Sequence, residues 1–359
     1  MRQSLYALDL RLEDRIVLLS VRNNLPAAVV LGCANTELSD EELDLFKELN
    51  PFGFILFERN CKSPGQVVEL VRSLRDSVKR EDAPVLIDQE GGNVQRLKPP
   101  HWNNIPSAEL LGLIYDVNNK RGLETSYTAG RLIASELATL EISVNCAPVL
   151  DVFFESTTKA LAGRTYSSDP SVIINIAKAF YSGLCEGGIL PVIKHMPGHG
   201  RAKSDSHIDV PKVRASHHDL TNSDFNAFKA FSSAPLGMTA HVMYESLDSN
   251  NVATNSSYII QNIIRQEIGF DGLLFSDDIC MGALKGNLTS RCENALNAGC
   301  DVVLHCSGNI NEMSLIKTFI PSISLECESR WNTALNSISG YKKSGSISEF
   351  RTKLEKLLN

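Results

Sequence analysis

The sequence lacks an excess of basic residues and any long apolar run, and each absence excludes a class of protein. Its 359 residues include 35 Lys and Arg against 42 Asp and Glu, a formal charge of −7 at pH 7. Neutralising many phosphates requires the opposite balance, so we expect no nucleic-acid partner. The apolar runs, such as 27–31 and 53–57, fall far short of the ~20 residues that cross a bilayer. We therefore expect no membrane span.

Cysteine pairs at redox or metal-binding spacing are also absent. The chain has nine cysteines, an odd number, and no two of them are spaced Cys-x-x-Cys. The short apolar run 16–19 near the N-terminus is interrupted by charges, whereas a signal peptide needs about 7 to 15 apolar residues. We expect reduced cysteines and a cytoplasmic location.

What the sequence does contain is a regular alternation of short apolar runs with longer stretches of helical periodicity. Most of the runs are continuously apolar, as strands covered on both faces should be. This order of elements predicts βα units and a parallel sheet. The eight predicted strands are 27–33, 53–57, 84–88, 143–147, 190–194, 236–241, 272–276 and 301–305.

Polar residues at the ends of these strands favour a barrel over a doubly wound sheet, the alternative. In a (β/α)₈ barrel the carboxyl ends of all strands surround one pocket. We predict an α/β fold with a single (β/α)₈ TIM-type barrel in residues 27–359, preceded by an N-terminal extension, residues 1–26, and closed by C-terminal helices from about residue 309. The strand-end residues are Asp88, Lys194, His195, His241, Asp277 and His305.

The densest group of reactive residues follows the fifth strand, in a loop rich in glycine. Within 194–207 lie a lysine, three histidines and a carboxylate. Asp205 and His207 are two positions apart, which places both side chains on one side of an extended chain. Asp205 can then accept a hydrogen bond from one ring nitrogen of His207, leaving the other nitrogen for proton transfer.

Two further segments place carboxylates at strand ends. Asp277 and Asp278 end the seventh strand; we expect one to face the pocket and the other to cap the next helix. Asp88 precedes two glycines, which we expect to allow close approach of a ligand, and Arg96. Asp88 can accept two hydrogen bonds from sugar hydroxyls, and a salt bridge to Arg96 is compatible with this role.

Taken together, these segments resemble glycoside hydrolase family 3, and within it the single-domain bacterial β-N-acetylglucosaminidases of peptidoglycan recycling. The resemblance runs in the correct order from about residue 27 to about residue 306. Its motifs are Asp-Gln-Glu-Gly-Gly-x-Val-Gln-Arg at 88–96, Cys-Ala-Pro-Val-Leu-Asp-Val at 146–152, Gly-Arg-Thr-Tyr at 163–166, Lys-His-x-Pro-Gly-His-Gly-x₄-Asp-Ser-His at 194–207, and Gly-Phe-Asp-Gly at 269–272 before Ser-Asp-Asp at 276–278.

The resemblance implies a retaining, exo-acting β-N-acetylhexosaminidase that removes GlcNAc from muropeptides such as GlcNAc-1,6-anhydro-MurNAc. It implies that Asp277 is the nucleophile, that His207 is the general acid/base and that Asp205 orients His207. We further expect a monomer with a sugar as its small-molecule substrate, no cofactor and no metal. The implied sugar-binding residues are Asp88, Arg96, Arg164, Lys194 and His195.

Two other functions are compatible with parts of the pattern. A metal-dependent hydrolase on the same barrel would use as ligands His195, His199, His207, His241 and Asp277. It is disfavoured because the first strand ends without the His-x-His that barrel metallohydrolases typically show. A non-catalytic sugar-binding protein would be expected to lack Asp277, Asp205 or His207, and all three are present.

Overall fold

A closed parallel barrel forms the centre of the molecule. The computed structural model describes residues 25–206, 209–341 and 345–359. The barrel strands are β1 Ala27–Gly32, β2 Pro51–Leu56, β3 Val85–Ile87, β4 Val144–Asn145, β5 Leu190–Met196, β6 Leu236–Thr239, β7 Leu273–Asp278 and β8 Val302–His305. Each strand pairs in parallel with the strands before and after it, and β8 closes on β1. The predicted (β/α)₈ barrel is confirmed.

Helices follow the strands and cover the outside of the barrel. They are α1 Asp40–Leu49, α2 Pro64–Val78, α3 Ala108–Val117, α4 Asn119–Thr139, α5 Pro170–Glu186, α6 His217–Asn222, α7 Asp224–Lys229, α8 Ile259–Glu267 with π-type hydrogen bonding, α9 Leu288–Ala298, α10 Ile310–Lys317, α11 Leu325–Ser339 and α12 Ile347–Leu358. The loops add short 3₁₀ turns at Glu58–Asn60, Lys159–Leu161 and Ala253–Asn255, and two small two-stranded sheets, Gln89–Gly91 with Val94–Gln95 and Lys212–Val213 with Met243–Tyr244. Within the described residues, no helix is long and apolar enough to cross a membrane.

Alternate residues along each strand enter two separate apolar layers. In β1, Val29 and Leu31 pack outward against the helices, whereas Ala28 and Val30 point into the barrel. Both layers exclude water, which explains why the strands are continuously apolar in sequence. The inner layer fills the barrel with side chains rather than leaving a channel.

Helix α11 closes the end of the barrel opposite the strand carboxyl ends. Trp331 is buried, and its ring lies edge-on to Phe52 with the centroids 5.3 Å apart. Phe52 in turn contacts the ring of Phe275 at 6.3 Å. The prediction that helices after residue 309 close the barrel is confirmed. Among the described residues, the apolar interior is left open at the end that carries the polar residues.

One local prediction, the helix cap after β7, is wrong. The helix after β7 is not capped by Asp277 or Asp278, because the chain first runs through a turn and Asn287 caps α9. Of the predicted extension 1–26, only residues 25 and 26 lie within the described part of the chain.

Candidate active site

The polar strand ends meet in one pocket at the carboxyl end of the barrel. The pocket has a volume of about 370 Å³, and its floor is the apolar interior of the barrel, including Ile55, Met238 and Leu304. A larger groove, of about 580 Å³, lies on the outside near the start of α12, and none of the described residues that line it carries a carboxylate or an imidazole. The predicted site residues that line the pocket are Asp88, Arg96, Arg164, Lys194, His195, Asp205 and Asp277. His207 lies outside the described residues.

One wall of the pocket is a buried network of opposite charges. The Lys194 ammonium lies 2.8 Å from an oxygen of Asp88 and 2.7 Å from an oxygen of Glu90. Arg96 donates to the second oxygen of Asp88 at 3.0 Å, so the expected salt bridge exists. Arg164 donates two parallel hydrogen bonds to Glu90, both 2.8 Å long. Each of these side chains is therefore fixed before a ligand arrives.

The network keeps all of its members ionised. Burial alone would raise the pKa of the Asp88 carboxyl, but Lys194 and Arg96 outweigh it and hold that pKa well below its usual range. The pKa of Glu90 is lowered in the same way, against burial, by Arg164 and Lys194. Burial favours the neutral amine of Lys194, yet the two carboxylates raise its pKa. At neutral pH this wall presents fixed charges to a ligand.

No role was predicted for Glu90, although its spacing from Asp88 indicates one. Side chains two positions apart in a strand share a face, so Asp88 and Glu90 could have been expected to bind one cation together. The glycines that follow were interpreted wrongly. Gly91 and Gly92 have φ angles of 100° and 57°, and an added Cβ would meet Pro106 and Ser107 of the neighbouring loop. They serve the hairpin turn rather than the approach of a ligand.

A buried carboxylate fixes the second wall. Asp151 is completely buried, and its Oδ2 lies 2.7 Å from Nδ1 of His195. Its Oδ1 accepts a hydrogen bond of 2.6 Å from the backbone N–H of His199. Burial would raise the pKa of Asp151, but the imidazole of His195 outweighs it and lowers that pKa. An ionised Asp151 needs a proton on Nδ1 of His195, which leaves Nε2 for the pocket.

The sequence around Asp151 contains a signal for this arrangement. Asp151 is the one charged residue in the apolar run 147–152. A carboxylate inside a buried run requires a hydrogen-bonded or charged partner. The partners lie 44 and 48 positions away in the chain, so only the fold identifies them.

Asp277 stands at the end of β7, and one of its oxygens is already positioned. Its Oδ1 accepts a hydrogen bond of 2.8 Å from the backbone N–H of Asp278. Burial would raise the pKa of Asp277, but the imidazoles of His241 and His195 outweigh it and lower that pKa. Within the described residues no hydrogen bond reaches Oδ2. Asp277 is therefore an ionised carboxylate with one oxygen available to a ligand.

Asp278, its neighbour, has a structural role that differs from the predicted helix cap. Its Oδ1 accepts the backbone N–H groups of Cys280 at 3.0 Å and Cys306 at 3.2 Å. Its carbonyl oxygen lies 2.9 Å from Nε2 of His241. Asp278 thus joins the ends of β7 and β8 and holds Asp277 in place.

The loop that follows β5 is anchored to the barrel at several points. Arg201 donates to the buried Asp224 at 2.7 Å and covers the ring of Phe154. His199 lies 3.4 Å from the hydroxyl of Ser206, and burial lowers the pKa of His199 to about 4, so its imidazole is neutral at pH 7. Asp205 and Ser206 reach the rim of the pocket. The pairing of Asp205 with His207 stays a prediction.

The residues that a metal-dependent hydrolase would use as ligands do not form a metal site, as far as they are described. Both ring nitrogens of His241 bond to protein atoms, Nδ1 to Thr254 and Nε2 to the Asp278 carbonyl. Nδ1 of His195 is bonded to Asp151. In the part of the chain that the structure describes, the only group of three or more candidate ligands with suitable mutual distances lies elsewhere. The pocket residues are committed to hydrogen bonds and ion pairs instead.

Comparisons with known proteins agree on one family. The sequence profile described as "Glycosyl hydrolase family 3 N terminal domain" matches residues 16–338. A beta-hexosaminidase of Nitrosomonas eutropha is 35% identical over 285 residues, which cover 78% of this chain and 80% of that protein. One of Haemophilus influenzae is 34% identical over 288 residues, again 78% and 80%. The crystal structure of NagZ from Neisseria gonorrhoeae in complex with N-trifluoroacetyl-D-glucosamine is 26% identical, with a TM-score of 0.83 over 93% of this chain and 99% of that one.

We predict that Asp151→Asn changes the tautomer of His195. The introduced amide keeps its oxygen on the His199 N–H, so its NH₂ group faces Nδ1 and favours a proton on Nε2 instead. The tautomer-sensitive ¹⁵N shifts of His195 should switch, and kcat/KM on an aryl glycoside should fall on the order of 100-fold. Asp44→Asn, on the exposed surface of α1, is the control and should change neither. An unaltered tautomer in the Asp151 variant would show that this carboxylate does not position the ring.

Proposed function

The chain belongs to glycosyl hydrolase family 3, and from this premise we propose that it removes single GlcNAc residues from the non-reducing ends of muropeptides such as GlcNAc-1,6-anhydro-MurNAc, with retention of configuration. The family and its relatives show that the chain is a glycoside hydrolase, a β-N-acetylhexosaminidase. We propose its substrate, its stereochemistry and the roles of its residues.

The proposal rests on one observation: the pocket ends in an apolar floor, with an ionised carboxylate on one side and fixed charges on the other. Asp277 lies on one side, and Asp88 with Lys194 and Arg96 lies across the pocket. An apolar floor blocks the chain of a longer glycan, which supports removal of one terminal sugar at a time. The gonococcal relative was crystallised with N-trifluoroacetyl-D-glucosamine, a sugar of the proposed class.

In the first step Asp277 attacks the anomeric carbon and forms a glycosyl ester while the leaving oxygen takes a proton. The lowered pKa of Asp277 supports this role because a nucleophilic carboxylate must be ionised. We assign the donated proton to His207, with Asp205 as the positioning residue that stabilises the imidazolium. This assignment rests on the sequence motif and on the position of Asp205 at the pocket rim.

In the second step His207 takes a proton from water, and the hydroxide oxygen replaces Asp277 at the anomeric carbon. Two displacements at one carbon restore its original configuration. Throughout, the sugar hydroxyls are held by Asp88, Arg96, Arg164, Lys194 and His195. These residues support binding because their charges and hydrogen bonds are fixed in advance.

We also propose that the protein acts as a cytoplasmic monomer without a cofactor. The described residues of one chain bring the carboxylate Asp277 and the fixed charges together in one pocket, which supports a monomer. The nine cysteines are free, which suits a reducing compartment. The chemistry needs only a carboxylate and an imidazole.

We predict that Asp277→Ala lowers kcat by about 10⁴- to 10⁶-fold, the range seen when single catalytic residues are removed from another hydrolase. Asp278→Asn is the matched control, because its amide oxygen can still accept the N–H groups of Cys280 and Cys306. This control should stay within about tenfold of wild type. Rates on an aryl N-acetyl-β-glucosaminide and circular dichroism of both variants check this. Loss of activity in Asp278→Asn with retention in Asp277→Ala would overturn the nucleophile assignment.

We predict that the defect of His207→Ala depends on the leaving group, because a general acid matters in proportion to how poorly the group departs. The rate of the first step should fall about 10²- to 10⁴-fold on a disaccharide and far less on a dinitrophenyl glycoside. Without a base for water, the ester should accumulate, and azide should accelerate its turnover. Burst kinetics, mass spectrometry and azide titration measure these effects.

Two further variants control for this experiment. Asp205→Asn should show the same pattern more weakly, since its imidazole is present but less well oriented. His218→Ala, on the exposed surface of α6, should behave as wild type. Equal losses on all leaving groups, with no trapped ester and no azide effect, would make His207 a binding residue rather than the acid/base.

A further inference from the structure

A second cluster of reactive side chains lies beside the pocket but does not line it. The thiol sulfur of Cys280, a ring nitrogen of His305 and a carboxylate oxygen of Glu312 lie within 4.8 Å of one another. Cys280 follows β7, His305 ends β8 and Glu312 is in the first turn of α10. None of the three is among the pocket residues, and none has a role in the proposed reaction.

The position of Cys280 is fixed by its own loop. Its backbone N–H donates to Asp278 at 3.0 Å. Arg291 of α9 donates to the carbonyl oxygens of Ile279 and Met281, the residues on either side, at 3.0 and 3.3 Å. These three bonds fix the backbone that carries the thiol, which lowers the entropic cost of binding a ligand there.

His305 and Glu312 are also held in place. Nε2 of His305 lies 2.9 Å from Glu312, and the hydroxyl of Ser307 donates to the same carboxylate oxygen at 2.6 Å. The side chain of His305 is fully buried, and among the described residues its Nδ1 has no hydrogen-bond partner. A buried polar atom of this kind is uncommon in proteins and calls for a bound water or ion as its explanation.

The donor set indicates the class of ion. Thiolate and imidazole select zinc-like transition metals, whereas magnesium and calcium prefer oxygen ligands. In a tetrahedral site, bonds of about 2.3 Å to sulfur and about 2.0 Å to nitrogen or oxygen place the ligand atoms about 3.3 to 3.6 Å apart. The three ligand atoms lie within 4.8 Å of one another, so side-chain movements of up to about 1.5 Å bring them to these distances.

We propose that Cys280, His305 and Glu312 bind one zinc-like divalent ion, with water completing a tetrahedral site. The ion links the loop after β7, the end of β8 and α10, and so braces the wall that carries Asp277 and Asp278. The ion has a structural role and takes no part in the reaction, so its presence does not depend on the proposed function. Its presence departs from the sequence-based expectation that the protein contains no metal.

Cobalt(II), which replaces zinc and shows a near-ultraviolet charge-transfer band when a thiolate binds it, tests the proposal on the full-length protein. Wild type should bind one equivalent with this band, and Cys280→Ser should lose it. Cys61→Ser removes another half-buried thiol and should keep the band. Because Cys306 lines the pocket, the loss of the band in Cys280→Ser, rather than the band itself, distinguishes the proposed site from cobalt bound in the pocket.

Glu312→Gln keeps the thiol and tests the site in a second way. It should retain the band while weakening cobalt affinity about tenfold or more. Aryl glycoside turnover by metal-free wild type should continue, which separates this site from catalysis. Absence of the band in wild type, its persistence in Cys280→Ser, or unchanged affinity in Glu312→Gln would overturn the proposal.

Discussion

The pocket depends on a buried ammonium group held between two carboxylates. The Lys194 side chain is only 3% exposed and contacts both Asp88 and Glu90. A charge removed from water in this way costs several kcal/mol unless it is paired, and losing one partner of such a pair typically destabilises a protein by about 3–5 kcal/mol. Strands β3 and β5 and the hairpin after β3 are therefore tied together by charge. The positions of Arg96 and Arg164 follow, because each binds one of the same carboxylates.

The barrel brings this local network together with the other residues of the pocket. Parallel strands place their carboxyl ends on one face, so residues distant in sequence surround one pocket. Three cations and two carboxylates on one wall leave a net positive charge facing Asp277. On the other wall, Asp151 fixes His195 and the start of the loop that carries Asp205. In the described part of the chain, the apolar interior and Trp331 close the opposite end of the barrel.

The sequence predicted the barrel because its strands are buried on both sides and read as apolar runs such as 27–31. The sequence also predicted that Asp88, Lys194 and Asp277 lie at one end of the barrel, because the ends of the apolar strands are easily recognised. Other features depend on partners far away in the chain. The role of Asp151 emerges only when β5 lies beside it, and Asp278 bonds to Cys306 across strands rather than to the next helix. The pairing of Asp205 with His207 rests on the motif alone.

The central claim is a two-step displacement at the anomeric carbon by Asp277 and then by water. The configuration of the first product reports this directly, because two displacements retain the β-configuration and one inverts it. Proton NMR of an aryl N-acetyl-β-glucosaminide with enough enzyme to outrun mutarotation measures it. We predict that the β-anomer of GlcNAc appears first and that the α-anomer appears only later, by mutarotation. Initial release of α-GlcNAc would mean direct attack by water and would contradict a glycosyl ester on Asp277.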